Sequence, residues 1–465
     1  MLYYCCQILL LIGFIFFNQT VYGDLIDIHG YISQGFLYSN KYNYLADTDG
    51  GTFKFNEMGI NLVKGSVDSS FIGVQVSARD LGDIGNNKPY VDWALADWRI
   101  IDTLGIRFGK LKVPMGFYNE TRDIDMLRTS VLLPSGVYIE LLRDAWNGLK
   151  GFGIYGDLAH PLLGSCDYKF SIGTVEIEDN SGTAKMFNAA FENPISNIRN
   201  FEVEETFVGS FQWSIPYSQI KIGSTFMSTD WTNTADYNLT LPAIDPIPAL
   251  LPGQHPIYPY GHPGFEGCDA VQIDKKIPIR VQNVQSYTLS ASAQLWKIIL
   301  SAEYFHIRLG YSAETPVFKY ANNTATSIVT HGGNITSDNE VEGYYISTNY
   351  RLTEKIGIGA YYSWITSNVD DKDGSKAAKQ PGNHNYSQWL RDYCLSILFD
   401  ISEQWTLKFE GHLMDGHTFL YMRDNPAPDN LVIPKGINPS EYVPYEVIFP
   451  DRYWHMLVAK VTFSF

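Results

Sequence analysis

The sequence predicts an all-β protein, a closed antiparallel β-barrel of about sixteen strands that turns its apolar strand faces outward. Three observations predict it. From Asp24 onward, apolar and polar side chains alternate with period two; the links between these segments are short and long in strict turn; and the last segment, YWHMLVAKVTFSF, reaches Phe465 with an apolar face that nothing after it covers.

Residues 1–23 come first, with a compact apolar run from Ile8 to Phe17 and the small-residue ending Val21, Tyr22, Gly23. They read as a cleaved secretory signal cut before Asp24, although no Lys or Arg precedes the apolar run. The run falls short of the roughly 20 residues that a membrane-spanning helix needs, and no other stretch approaches that length. The barrel is then expected over 24–465.

Along it, Ile72, Val74, Val76 and Ala78 share one face, against Gly73, Gln75, Ser77 and Arg79 on the other. Tyr168, Phe170 and Ile172 repeat the pattern, as do Phe207, Phe211, Trp213 and Ile215, and later Ile356, Ile358, Ala360, Tyr362 and Trp364. Short links fall at KGSVDS, IIDT, LAHPLLG, IPYSQ, LWKI, RLTEK and DISEQ. Long links fall near 39–51, 81–89, 111–147, 178–202, 232–279, 310–340, 367–386 and 416–452.

A soluble β-sandwich gives no reason for such alternation. A transmembrane barrel does, because one rim carries tight periplasmic turns and the other long external loops. Its apolar strand faces meet lipid and its polar faces a wet lumen, and closure pairs every backbone donor and acceptor. In the last strand Leu457, Ala459, Val461, Phe463 and Phe465 form the lipid face and Lys460, Thr462 and Ser464 the lumen face, with DIHGYISQGFLYS expected as the closing neighbour.

Composition agrees and excludes alternatives. Aromatic residues make up 14% of the chain, charged residues only 18%, and the net charge is −16, which excludes nucleic acid as a partner. Two cysteines, Cys5 and Cys6, lie in the signal; Cys166, Cys268 and Cys394 are too scattered for a disulfide framework or paired metal ligands.

The terminal strand ending on Phe465 resembles that of Gram-negative outer-membrane proteins, whose last Phe and alternating aromatics are read by the barrel-assembly machinery. Signal, Phe463 and Phe465, and strand spacing together resemble the trimeric outer-membrane porins. The stretch GKLKVPMGFYNETRD is similar to a strand-to-loop segment of porin-like proteins related to the phosphate-selective porins. The resemblance implies outer-membrane localisation, lipid contact, a homotrimer, passage of small hydrophilic solutes and ions, no cofactor, and a third long loop, 111–147, folded into the pore as its constriction. Candidate constriction groups are then Arg107, Lys110, Lys112, Glu120, Arg122, Asp123, Asp125, Arg128, Glu140, Arg143 and Asp144. Opposed acids and bases there create a field across the passage; the plainer alternative is solvated pairs on an external loop. Phosphate selectivity needs a stacked run of cations that Lys110 and Lys112 supply only in part, so charge selectivity stays open.

Weaker signals complete the reading. His255 and His262, in the proline-rich fifth link, are sparse as a metal pair, and VDDKDGS lacks the terminal Glu of a calcium loop. The chain has no G-x-S-x-G and no H-E-x-x-H, so an enzyme is not expected. The runner-up readings are a lipase- or protease-type barrel drawing on Ser301, His306, His412 or His417, and a closed barrel with a structural or adhesive role.

Overall fold

A computed structural model describes residues 26–66, 68–82, 84–190, 195–241, 271–320, 328–379, 384–420 and 451–465. The expected signal peptide, His255, His262 and Cys268 lie outside these residues, as does most of the 416–452 link.

Seventeen strands form one sheet. They are β1 (Asp27–Ser39), β2 (Asn56–Ser66), β3 (Ser70–Asp80), β4 (Tyr90–Ile101), β5 (Leu104–Lys112), β6 (Gly148–His160), β7 (Gly164–Val175), β8 (Ile195–Val203) and β9 (Thr206–Ser214). After them come β10 (Ile220–Leu241), β11 (Val271–Leu295), β12 (Ile298–Tyr320), β13 (Ile328–Arg351), β14 (Ile356–Thr366), β15 (Trp389–Asp400), β16 (Trp405–Gly416) and β17 (Tyr453–Ser464). Both β8 and β9 pair antiparallel with β10, one beyond the other, so they are two lengths of a single stave and the wall has sixteen. The strand β1 pairs with β2 on one side and β17 on the other, which closes the sheet.

Each short link of the sequence is a tight hairpin turn at one rim, and the long links gather at the other. At the seam, Gly30 and Phe465 exchange both backbone hydrogen bonds, each 3.0 Å, so the last residue completes the ladder. The outward faces are apolar: Ile72, Phe152, Phe207, Leu395, Leu413 and Leu457 are all exposed, Leu395 to 72%. The alternate positions, such as Ser33, Gln75, Glu303, Ser363 and Thr462, are buried and turned inward. An exterior band of this kind around a closed sheet is the arrangement of membrane-spanning barrels, in which hydrocarbon covers the apolar faces and no backbone group is left unpaired.

The fold departs from expectation in three of its long links and in its lumen. The described parts of the links placed at 232–279 and 310–340 are strand: the β10–β11 ladder runs from Ile220 opposite Ala293 to Leu241 opposite Val271, and the β12–β13 ladder continues to Tyr320 opposite Ile328. One face of these lengths is dry, with Ala235, Ile277, Ile279 and Ala313 buried, but the polar residues interspersed among them interrupt the alternation and make the segments read as loop. In the 178–202 link, a helix at Gly182–Ala190 precedes β8, and the Ser181 hydroxyl accepts from the Ala184 amide at its start.

The lumen is the other departure. It is not wet throughout: on the β12–β17 side, inward-facing Phe305, Ile365, Met414, Trp454, Met456 and Val458 join one buried apolar cluster with Leu132, Leu133, Val137, Leu141 and Trp146 of the β5–β6 link. The core of this protein therefore sits inside the barrel, between its wall and a loop.

Candidate functional site: the loop inside the barrel

Residues 113–147 leave the end of β5, cross the interior and return at β6. The apolar run VLLPSGVYIELL in this segment cannot stand in water, and it buries against the inner wall. The Asn119 amide staples the two ends of the loop, donating to the carbonyls of Val113 and Trp146, both at 2.8 Å. Anchors then come from strands all around the barrel. Glu410 on β16 accepts the amides of Val131 (2.6 Å) and Leu132 (2.9 Å); Glu303 on β12 accepts the Tyr138 hydroxyl (2.5 Å) and the Phe117 amide (2.9 Å); and Ser363 on β14 accepts the Gly136 amide (2.7 Å). On the near side, Thr225 of β10 donates to the Pro114 carbonyl at 2.9 Å.

The closest approach is at Gly136. A Cβ there would fall 2.4 Å from the Tyr344 carbonyl oxygen and 2.7 Å from that of Trp364, both backbone atoms of the wall. Gly136→Ala is therefore expected to push the loop off β13 and β14 at a cost of about 1–3 kcal/mol. Noisier single-channel currents would report this, and quiet wild-type currents in the variant would contradict it.

A buried chain of charges fixes the loop further. Lys460 on β17 lies between Asp125 (2.9 Å) and Glu57 of β2 (3.0 Å); Arg143 meets Glu57 at 2.7 Å and Glu140 at 3.7 Å; and Arg122 meets Glu140 at 2.8 Å. Asp125 also faces Arg128 at 3.3 Å and Lys408 of β16 at 3.7 Å, and it accepts the Thr462 hydroxyl at 2.7 Å. Asp144 pairs with Arg79 of β3. Burial alone would raise the carboxyls of Asp125 and Glu140. Lys460 with Lys408 and Arg128 overrides it at Asp125, Arg122 with Arg143 overrides it at Glu140, and both carboxyls are held below their usual range. Burial then raises the phenol of Tyr138, and the Glu303 carboxylate adds to the rise.

The loop leaves one side of the lumen open. A cavity of about 470 Å3 lies between it and the β1–β7 wall, reaching to His29 and Ser464 at the short-turn rim. Its polar lining is ordered in pairs. Arg107 is bonded to Asp97 and stacks over Tyr155 at 4.0 Å; Lys112 lies 2.5 Å from Asp123 and 3.1 Å from Asp92; Lys169 of β7 lies 2.5 Å from Glu120. Gln75 donates to both Asp92 (3.0 Å) and Asp123 (2.5 Å), and takes the Trp93 indole proton at 2.9 Å. Burial opposes ionisation of Asp123, but Lys112 and the Gln75 bond lower its pKa below the ordinary value. Arg107, Lys112 and Lys169 each lie next to an acid, so the cavity lining alternates in charge, with the acids in slight excess.

Of the residues singled out in the sequence, Arg107, Lys112, Glu120, Asp123 and Asp125 line this cavity. Arg122, Arg128, Glu140, Arg143 and Asp144 lie in the anchoring network outside its lining. Lys110 is a correction: it shares the outward face with Phe108, because period-two alternation continues through residue 110 and the chain turns inward only after it. Sequence reasoning placed Gln75 and Lys460 on the polar strand face but did not find the wall partners, which are Glu57, Gln75, Asp97, Lys169, Glu303, Lys408, Glu410 and Lys460. Their signal is a charged or amide side chain at a lumen position of a strand.

The residues considered for catalysis separate. Ser301 faces inward, whereas His306 stacks on exposed Tyr287 at 5.0 Å on the outer face. His412 lies between Asp392 (2.9 Å) and Glu410 (3.1 Å), and Cys394 brings a third possible ligand atom within 4.8 Å of Glu410 and His412. That Glu410 carboxylate is already committed to two loop amides.

Sixteen staves, an apolar exterior and a loop folded into the interior define the class: a membrane-type β-barrel with an internally narrowed lumen. No protein-family model matches the chain, and no curated protein matches it in sequence. Solved structures similar to it include an anion-selective porin from Comamonas acidovorans (10% identity, 95% of this chain and 99% of that one, TM-score 0.49). The outer-membrane channel DcaP of Acinetobacter baumannii aligns at 9% identity over 95% of this chain and 97% of that one, TM-score 0.48. OmpT of Vibrio cholerae, expressed in the outer membrane, aligns at 9% identity over 96% and 100%, TM-score 0.47.

Proposed function

We propose that this chain is a passive outer-membrane channel for small hydrophilic solutes and ions, driven by the solute gradient and without enzymatic activity or a cofactor. The observation that carries the reading is the loop 113–147, pinned across the lumen so that a cavity lined by apolar side chains and by paired charges remains beside it. Charged groups at a narrowing sort solutes by charge and dipole, and the paired lining here favours weak selectivity. A homotrimer goes with this proposal, on the resemblance in sequence to trimeric porins.

The test is planar-bilayer recording of the purified protein. Stepwise conductance is expected. Membrane insertion without conductance would instead favour a closed structural barrel, a reading to which the dry packing on the β12–β17 side lends weight.

Recognition by the barrel-assembly machinery is proposed for Phe463 and Phe465, whose rings lie 6.1 Å apart beside the seam. Deleting Phe465 removes the two backbone bonds to Gly30 and is expected to lower the folded, heat-modifiable fraction in the outer membrane several-fold. Normal accumulation would refute the assignment.

A further inference from the structure

The outward face of β5 and β6 carries an arrangement that lipid alone does not explain. Phe108 lies opposite Phe152 and, one step nearer the long-link rim, Lys110 lies opposite Lys150. The rings are exposed and 6.5 Å apart. Two ammonium groups placed directly across a strand pair repel, and a charge on the lipid side of a barrel is tolerated only near the interface. Lys150 is partly answered by Glu176 at 2.6 Å. Lys110 donates to the Val91 carbonyl at 2.7 Å and has no carboxylate within ion-pair distance among the described residues.

A hollow of about 800 Å3 opens over this pair. It exists because Ala94, Gly109 and Gly151 contribute almost no side chain to the wall, and Lys88 of the β3–β4 link overhangs it. Lys88, Lys110 and Lys150, with Glu178 beside Lys88 and Glu176 beside Lys150, thus stand above a tier of aromatic rings, separated by about 7 Å along the strand. That order is the order of an anionic lipid, with its phosphate above its acyl chains.

We infer that this hollow binds the phosphate-bearing headgroup of an anionic membrane lipid in the outer leaflet. Lys110 and Lys150 hold the phosphate oxygens, and Phe108 and Phe152 lie under the first acyl segments. A phosphate between the two lysines supplies the counter-charge that the chain does not give Lys110. The inference depends on the barrel spanning a membrane and not on its conducting, so it stands or falls separately from the channel reading.

Native mass spectrometry of the detergent-solubilised protein, titrated with phosphatidylglycerol or phosphatidylcholine, tests it. The wild type is expected to retain phosphatidylglycerol in preference. Lys110→Gln with Lys150→Gln should bind it roughly thirtyfold more weakly, a factor of about five for each lysine. Bilayer conductance of that variant should equal the wild type's, because neither side chain reaches the lumen cavity, and Lys110→Gln alone serves if the double variant folds poorly. Equal retention of the two lipids, or unchanged retention in the variant, would overturn the assignment. So would competition by millimolar inorganic phosphate with no lipid preference, or conversion of oligomer to monomer in the variant without bound lipid, which would make the hollow a contact between copies.

Discussion

Asp125→Asn is expected to release the inner loop from the barrel while leaving the barrel itself folded. Asp125 is the buried carboxylate on which Lys460, Lys408 and Arg128 converge, and Thr462 donates to it as well. Neutralising it leaves the buried Lys408 ammonium with the carbonyls of Asp125 and Ser130 as its hydrogen-bond partners and, among the described residues, no carboxylate in direct contact. Removing one partner of a buried ion pair costs about 3–5 kcal/mol, set against the remaining anchors, the Glu410 and Glu303 hydrogen bonds and the Arg143–Glu57 and Asp144–Arg79 pairs. Protease cleavage within 113–147 and a larger, flickering conductance are the expected readouts. A variant as protease-resistant and as quiet as the wild type would show that the apolar packing alone holds the loop.

The same carboxylate sets the acid limit. Its folded pKa lies far below that of a free aspartate, about 3.9, so its contribution is whole above that value and is lost as pH falls below it. Glu140 acts in the same direction. The loop should therefore remain docked at about pH 5 and release only in stronger acid, which conductance recorded against pH would show.

Reversing the cations of the open passage should have the second large effect. Arg107→Glu together with Lys169→Glu turns both pairs with Asp97 and Glu120 into double acids along the cavity. A unit charge about 4 Å from an ion changes its energy by about 1 kcal/mol even in bulk water. The cation-to-anion permeability ratio should then rise at least about fivefold, read as a shift of reversal potential in a salt gradient. Arg122→Glu would be a poor probe of the same idea, since Arg122 is buried against Glu140 and its loss would act on the loop's packing. An unchanged reversal potential in the double variant would mean that ions do not pass beside Arg107 and Lys169.

The staves were legible in the sequence because lipid outside and water inside impose period two on a chain that crosses between them. Phe207, Phe211 and Trp213 announce their face without any tertiary information. The seven turns were legible for the same reason: alternation breaks where a strand ends. The extensions of β10 to β13 were not, because their one buried face, with Ala235, Ile277 and Ile279, is interrupted by polar and charged residues that read as loop. The dry half of the lumen was half-visible. In WHMLVAKV both faces of β17 are apolar, Leu457 and Ala459 toward lipid and Trp454, Met456 and Val458 toward the loop, which is the mark of a strand buried on both sides. Lys110 follows from strict alternation with Arg107. The partners of the loop's charges were hidden because Glu57, Lys408, Glu410 and Lys460 are far from it in sequence and meet it only when the sheet closes.

The overhanging β12–β13 hairpin has a consequence beyond the pore. β14 stops at Thr366, opposite Glu342, while β13 continues back to Ile328 with β12 as its only ladder partner among the described residues. Its other margin is an open row of amides and carbonyls, a template onto which a foreign strand could be stitched. Asp338, Glu340 and Glu342 stand at the base of that row, and each already faces a cation of its own chain, Arg308 or Lys372. On a crowded cell surface that overhang is where the closed wall gives way to an edge, and edges invite strand addition.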